Sequence, residues 1–341
     1  LTDRHWTIDR CPNVQWLDAF VRRQARRQAS WRASAVAERG GPSSCSRRIV
    51  SAAALDLLGI KISIVITVLG IGLSTRRGDA TSVFRDPAQL VRSLLAMQVI
   101  VPLFAILVVR TFDLEIPVKI ALVALSVSPV PPIWPKRTLQ AGGEQAYTIG
   151  LLVASSLLSI LIIPSAVEMM ESIFSVPVRV SPASIGNVAF VTVILPLFVG
   201  IEIRRLWPRF ANRASETVIK AGFALLVLCA VPLLVKSFPA MASLIGNGTL
   251  LTMIALVLVG LGAGHLLGGP VEGERTVLGL ACATRHPAIA LTIAMANFPN
   301  EKLVPAAIIL YLLVSFIAST PYVLWNKRRA DQSHRPIMAL R

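Results

Sequence analysis

The sequence predicts an all-α integral membrane protein of about nine transmembrane helices, built as an inverted repeat with one discontinuous helix in each half. Three observations carry that prediction. The 341-residue chain is 54% apolar and only 15% charged, with a mean hydropathy of +0.67, whereas a soluble domain is about 25% charged. Nine stretches are long and apolar enough, or nearly so, to cross a bilayer, which takes roughly 20 residues. Two of those stretches are broken by proline at matching places in their order. The 34 Lys and Arg against 18 Asp and Glu leave a net charge of +16, which alone would suggest a nucleic-acid partner. A chain so poor in polar residues has too little polar surface to cover a soluble core. The composition therefore excludes a soluble enzyme, a disordered chain and a nucleic-acid binder. Cys11, Cys45, Cys229 and Cys282 are scattered and have no disulfide or zinc spacing.

The nine stretches are 57–74, 90–110, 116–134, 147–169, 184–203, 216–236, 249–267, 276–297 and 303–325. Several contain proline, which membrane helices tolerate because neighbours re-satisfy the freed carbonyls. Gly260, Gly262, Gly264 and Gly268 mark close helix packing in and after the seventh stretch. Basic residues follow the odd-numbered spans: Arg76, Arg77, Arg85 and Arg92, then Arg204, Arg205, Arg209 and Arg213, then Arg275, then the tail from Lys327. The opposite face carries only Arg110, Lys119, Arg179, Lys236 and Lys302. By the positive-inside rule the first face is cytoplasmic and the C-terminus lies inside. The expected location is the cell membrane, of the bacterial inner-membrane type, with the bilayer itself as a partner. Residues 1–50 read as a basic N-terminal segment, disordered or non-native, since ten arginines and no apolar core rule out a span or a signal peptide there. Residues 51–327 form the transmembrane domain and 328–341 a basic tail.

The third stretch runs into Ser128-Pro129-Val130-Pro131-Pro132-Ile133-Trp134-Pro135-Lys136-Arg137, which cannot remain α-helical. The eighth contains Thr284-Arg285-His286-Pro287 near its middle. Stretches 1–4 and 6–9 each carry the break in their third member, so the fifth opens a second repeat. Its counterpart would be a helix before the first stretch. Breaks paired in this way point to the binding site of a secondary transporter. A half-helix starting at Pro287 suits proline's preference for the first helical turn, and its positive dipole end attracts an anion.

At these residues the sequence resembles the bile acid:sodium symporter family. Leu69-Gly70-Ile71-Gly72-Leu73-Ser74 is similar to the family's glycine-rich helix end, and residues 128–143 and 281–290 fall at its two crossovers. The resemblance implies two domains, crossed broken helices, alternating access, and sodium-coupled carriage of organic anions. It also exposes departures. Ala281 stands at the family's glutamate, Arg285 at its glutamine and His286 at its asparagine. Trp134 and Pro135 replace a Ser-Asn pair, and the glutamine five residues before a helix proline is Met97, with Gln98 one place late.

These departures shape the expectations. The substrate is a small organic anion, bound by Arg285, His286, Pro287, Gln98, Lys136, Arg137, Ser128, Pro132 and Thr284. No cofactor and no resident metal are expected. Sodium would have to bind where its family ligands are substituted, and a buried ion without compensating charge is costly. Fixed cations, Arg285 first and then Lys136 or Arg137, are expected to replace it. Arg285 keeps two readings: anion ligand, because arginine at membrane depth is functional by default, or structural cap on carbonyls of the broken third stretch. Lys136 and Arg137 either face the cavity or snorkel to the interface. Auxin- or arsenite-type efflux carriers and a non-transporting receptor are the alternatives. An enzyme would need a nucleophile or metal cluster at depth, and neither G-x-S-x-G nor H-E-x-x-H occurs.

Overall fold

The computed structural model describes residues 44–76, 78–174 and 181–338, with side chains except at 44–57, 164–174 and 333–338. The expectation for residues 1–50 falls almost wholly outside the described residues. The chain divides into two units, Leu1–Ala54 and Leu55–Arg341. The second unit holds all the candidate membrane spans among the described residues.

Every described element is helical, and proline sets many of the boundaries. Helix α1 is Ser44–Ser74. After it, short helices at Asp79–Thr81 and Ser82–Arg85 turn the chain by 104°. Helix α2, Pro87–Thr111, starts with Pro87 in its first turn and with Asp86 accepting the Gln89 N–H at 3.0 Å, a side-chain cap on an otherwise orphan donor. It widens into a π-helical turn at Leu95–Ile100. Helix α3, Ile116–Val127, ends where Ser128 leaves helical geometry. Helix α4 is the seven-residue Trp134–Gln140. Then come α5 at Gln145–Phe174, α6 at Pro182–Leu206 with a second π turn at Phe190–Ile194, and α7 at Pro208–Ser243. Helix α8 is Thr249–Leu267, α9 is Glu272–Ala283, α10 is Pro287–Asn297 and α11 is Val304–Met338.

Among the described residues seven helices are long and apolar enough to cross a membrane, or eight with the bent pair after α1. The expected nine differ for a local reason. The third stretch is two short helices rather than one span, since Ser128–Ile133 is not helical. The basic tail from residue 328 is also helical, as α11 continues to Met338. Cations there complement the negative C-terminal end of the helix dipole.

Two apolar clusters organise the packing. The larger joins residues of every helix from α2 to α11, around buried side chains such as Val118, Ile120, Leu122, Ile185, Val257 and Leu280. The smaller joins α1, α5 and α6 through Val68, Ile71, Ile149, Val153 and Leu197. Helix α7 lies mostly outside both, with Leu228, Val235 and Phe238 exposed, as suits a lipid-facing helix. The arginine-rich turns gather at one end. Arg204 donates to Leu73 O at 2.7 Å, Arg329 lies 3.5 Å from Glu272, and Gly269 approaches Arg92.

Close backbone approach ties α8 to α9. A Cβ on Gly264 would strike the Leu278 carbonyl and lie 2.6 Å from Gly279 Cα, whereas Gly262 on the same helix has nothing within 4 Å. Gly264→Ala is therefore expected to destabilise the protein by about 1–3 kcal/mol, the usual cost of overpacking, and Gly262→Ala to leave it unchanged. Thermal unfolding of both variants in detergent checks this. Equal behaviour would show that the helices are not packed this closely.

Candidate functional site

The two breaks meet. The His286 N–H donates to Pro129 O at 2.9 Å, and Arg285 Nη1 donates to Ser128 O at 3.1 Å. Arg285 Nη2 reaches a third segment, donating to Met97 O at 2.9 Å. Arg285 is 0% exposed.

The carbonyls that Arg285 meets are free for a common reason. In the π turn of α2, Val101 N–H donates five residues back to Ala96 O. The next donor in that pattern would serve Met97 O, but it is Pro102, which has no N–H. Had α3 continued, Ser128 O would have taken the N–H of residue 132, which is again proline. Buried carbonyls without donors are costly. The guanidinium, with five N–H groups in a rigid fork, answers both.

The second break is satisfied from the other side. Ala283 O accepts from Ser315 Oγ at 2.8 Å and from Tyr311 Oη at 3.3 Å. His286, 1% exposed, caps α10 by accepting the Ile289 N–H at Nδ1 over 3.4 Å. An acceptor at Nδ1 puts the proton of the neutral ring on Nε2. That Nε2, the Nε of Arg285 and the Oε1 of Gln98 are buried without hydrogen-bond partners among the described residues.

The other expected site residues separate. Ser128 and Pro132 are buried in the first break, and Ser128 Oγ donates to Ala124 O at 2.7 Å. Thr284 is half-buried, its hydroxyl bound to Leu280 O at 2.6 Å, and Pro287 is half-buried in the first turn of α10. Lys136 and Arg137 point to different neighbours. Arg137 turns to α11, donating to Phe316 O at 2.7 Å and Thr320 Oγ1 at 3.0 Å and stacking on Phe316. Lys136 lies over the Phe223 ring at 3.8 Å. It lines a cavity of about 340 Å³ between α1, α4 and α7 with Ser74, Gln140, Glu216 and Lys220. Trp134 is a buried packing aromatic.

Acidic groups stay away from the crossing. Asp79 is the one buried acid among the described residues, and its carboxylate accepts from the Arg76 N–H and from Gln145 in the turn after α1. No group of three metal-ligating side chains forms among the described residues. Sequence reasoning missed Met97 O, Pro129 O, Tyr311 and Ser315. Backbone oxygens carry no residue signature, and the usable signal was the proline that follows each orphaned carbonyl.

A rice protein, the probable chloroplastic sodium/metabolite cotransporter BASS2 of Oryza sativa subsp. japonica, is 23% identical to this chain over 266 residues. That similarity covers 76% of this chain and 62% of the rice protein. The Sodium Bile acid symporter family matches over residues 61–244, from α1 through the first break and into the turn after α7. Crossed broken helices and that match over more than half of the sequence lead to one conclusion: the chain belongs to the sodium bile acid symporter family, whose members are transporters and not enzymes.

Proposed function

We propose that this protein is a secondary active transporter that moves a small organic anion across the membrane by alternating access. The observation that carries the reading is the crossing itself: two broken helices meet at 2.9 Å around a buried arginine that has no acidic partner among the described residues. The positive N-terminal end of α10 and a cation with no acidic partner among the described residues create a positive potential in a low-dielectric setting, where an anion gains most. The binding group offered there is His286 Nε2–H. Thr284 and Pro287 shape the start of α10, and Ser128 and Pro132 shape the facing break. Gln98 supplies an unpaired acceptor for a substrate hydroxyl, and Arg285 contributes its charge.

The cleft between α1, α4 and α7 is the approach. Its volume of about 340 Å³ is at the small end of ligand pockets, which suits a metabolite-sized carboxylate. Lys136 stands in its wall with the Lys220–Glu216 ion pair, and it is the cation there that has no acidic partner among the described residues. Arg137 holds α4 against α11. Motion of α1, packed on α5 and α6 through the smaller apolar cluster, against the bundle held by the larger one would alternate access. The arginine-rich end faces the cytoplasm of a cell membrane, with the C-terminus inside.

Reconstituted protein is expected to accumulate a labelled organic carboxylate in proteoliposomes and to ignore its neutral amide analogue. Uptake that does not distinguish the two would remove the anion assignment. Within an active preparation, Lys136→Gln should raise KM about tenfold or more, since a charge-assisted bond contributes about 1.5–3 kcal/mol. Arg137→Gln should leave KM near the parent value and lower thermal stability instead. A reversed pattern would move the substrate path to the α11 side. For orientation, a green fluorescent protein fused after Arg341 should fluoresce in intact cells, and an alkaline phosphatase fused after Gly246 should be active. Inactive phosphatase with a dark C-terminal fusion would invert the topology.

A further inference from the structure

The names of the family and of the rice relative both contain sodium, and the residues at this crossing do not fit that ion. Sodium is a hard cation that needs several oxygen ligands at once, and at membrane depth these must be carbonyls, hydroxyls or carboxylates not already turned to another cation. The two carbonyls best placed to offer lone pairs, Met97 O and Ser128 O, already accept from Arg285. Pro129 O is taken by the His286 N–H, and Ala283 O by Ser315 and Tyr311. The hydroxyls of Ser126, Ser128, Thr148 and Thr284 each donate to a carbonyl three or four residues back and, with Gln98 Oε1, unpaired among the described residues, offer only neutral oxygens beside a fixed cation. Ala281, at the start of the second break's approach, is fully buried and apolar. A sodium ion placed here would face a fixed guanidinium charge with no carboxylate of the described residues between them, and like charges at short range repel strongly in low dielectric.

We propose that Arg285 is the resident cation of this carrier: its guanidinium replaces a bound alkali ion in joining the two breaks, so binding and translocation proceed without sodium. The geometry gives the substitution its chemistry. A bound cation at a helix crossing serves to satisfy carbonyls freed by the breaks and to supply positive charge for an anion. Arg285 does the first through Nη1 and Nη2 and the second through its permanent charge. Unlike a soluble ion, it cannot dissociate, so the crossing stays assembled in both access states. Sodium-free translocation rests on the anion-carrier reading above, whereas the absence of a sodium site stands on the crossing alone.

The test begins with the purified full-length protein in detergent, unfolded thermally in sodium chloride, potassium chloride and choline chloride at equal ionic strength. The parent protein is expected to melt at the same temperature in all three. A rise specific to sodium would overturn the proposal. Arg285→Ala is expected to melt lower in choline chloride, because two buried carbonyls lose their donors, and to recover part of the loss when sodium or millimolar guanidinium is added. A variant that melts like the parent, or that neither cation rescues, would also overturn it. Should Arg285→Ala fail to fold, Arg285→Lys takes its place in the same comparison, with a smaller loss expected because the charge is kept. Flux completes the test: carboxylate uptake into proteoliposomes is expected to be equal in sodium and choline, and a severalfold fall in choline would contradict the proposal. Absence of uptake for every anion in either salt would defeat the carrier reading, while the melting comparison still decides the ion question.

Discussion

The hydrogen bonds from Arg285 to Met97 O and Ser128 O join three segments that are far apart in the chain: the π turn of α2, the first break and the second break. Each of those carbonyls is free because a proline stands where its helical donor would be. The guanidinium therefore repairs two defects at once. The His286 N–H adds a third link to Pro129 O, which fixes the two breaks against each other by backbone as well as by side chain. Without these links α3 would end and α10 would begin at buried, unsatisfied backbone, which the interior of a bilayer does not tolerate.

The same arrangement sets the electrostatics of the site. A charge at this depth is expensive unless it is well hydrogen-bonded. Here the compensation comes from carbonyl dipoles, since the one buried acid among the described residues, Asp79, serves the turn after α1. Dipoles stabilise a cation without cancelling its charge. The crossing therefore keeps the charge of a cation with no acidic partner among the described residues, the feature on which the proposed carriage of an anion rests. In the proposed reading, structural repair and substrate attraction fall to one side chain.

Much of this was legible in the sequence. Proline clustering located both breaks to within a few residues, because proline removes a donor wherever it stands. Hydropathy found the long spans for the same reason that they cross a membrane. The third span was read as longer than its helices, since apolar length does not reveal where backbone leaves helical geometry. Arg285 was legible as an oddity, and both of its readings were open: its charge marks it in sequence, but its acceptors are main-chain oxygens. Lys136 and Arg137 could not be separated, because adjacent residues on a helix point about 100° apart. The choice between them depends on where Phe223 of α7 and Phe316 of α11 lie, which is tertiary information.

The most direct measurement of the central claim is an experimental density map of the protein in lipid, at a resolution that shows side chains. The account predicts the Arg285 guanidinium as a bridge between the carbonyls of Met97 and Ser128, with the His286 amide on Pro129. A guanidinium extended into a water-filled cavity, with a separate ion on those carbonyls, would contradict it.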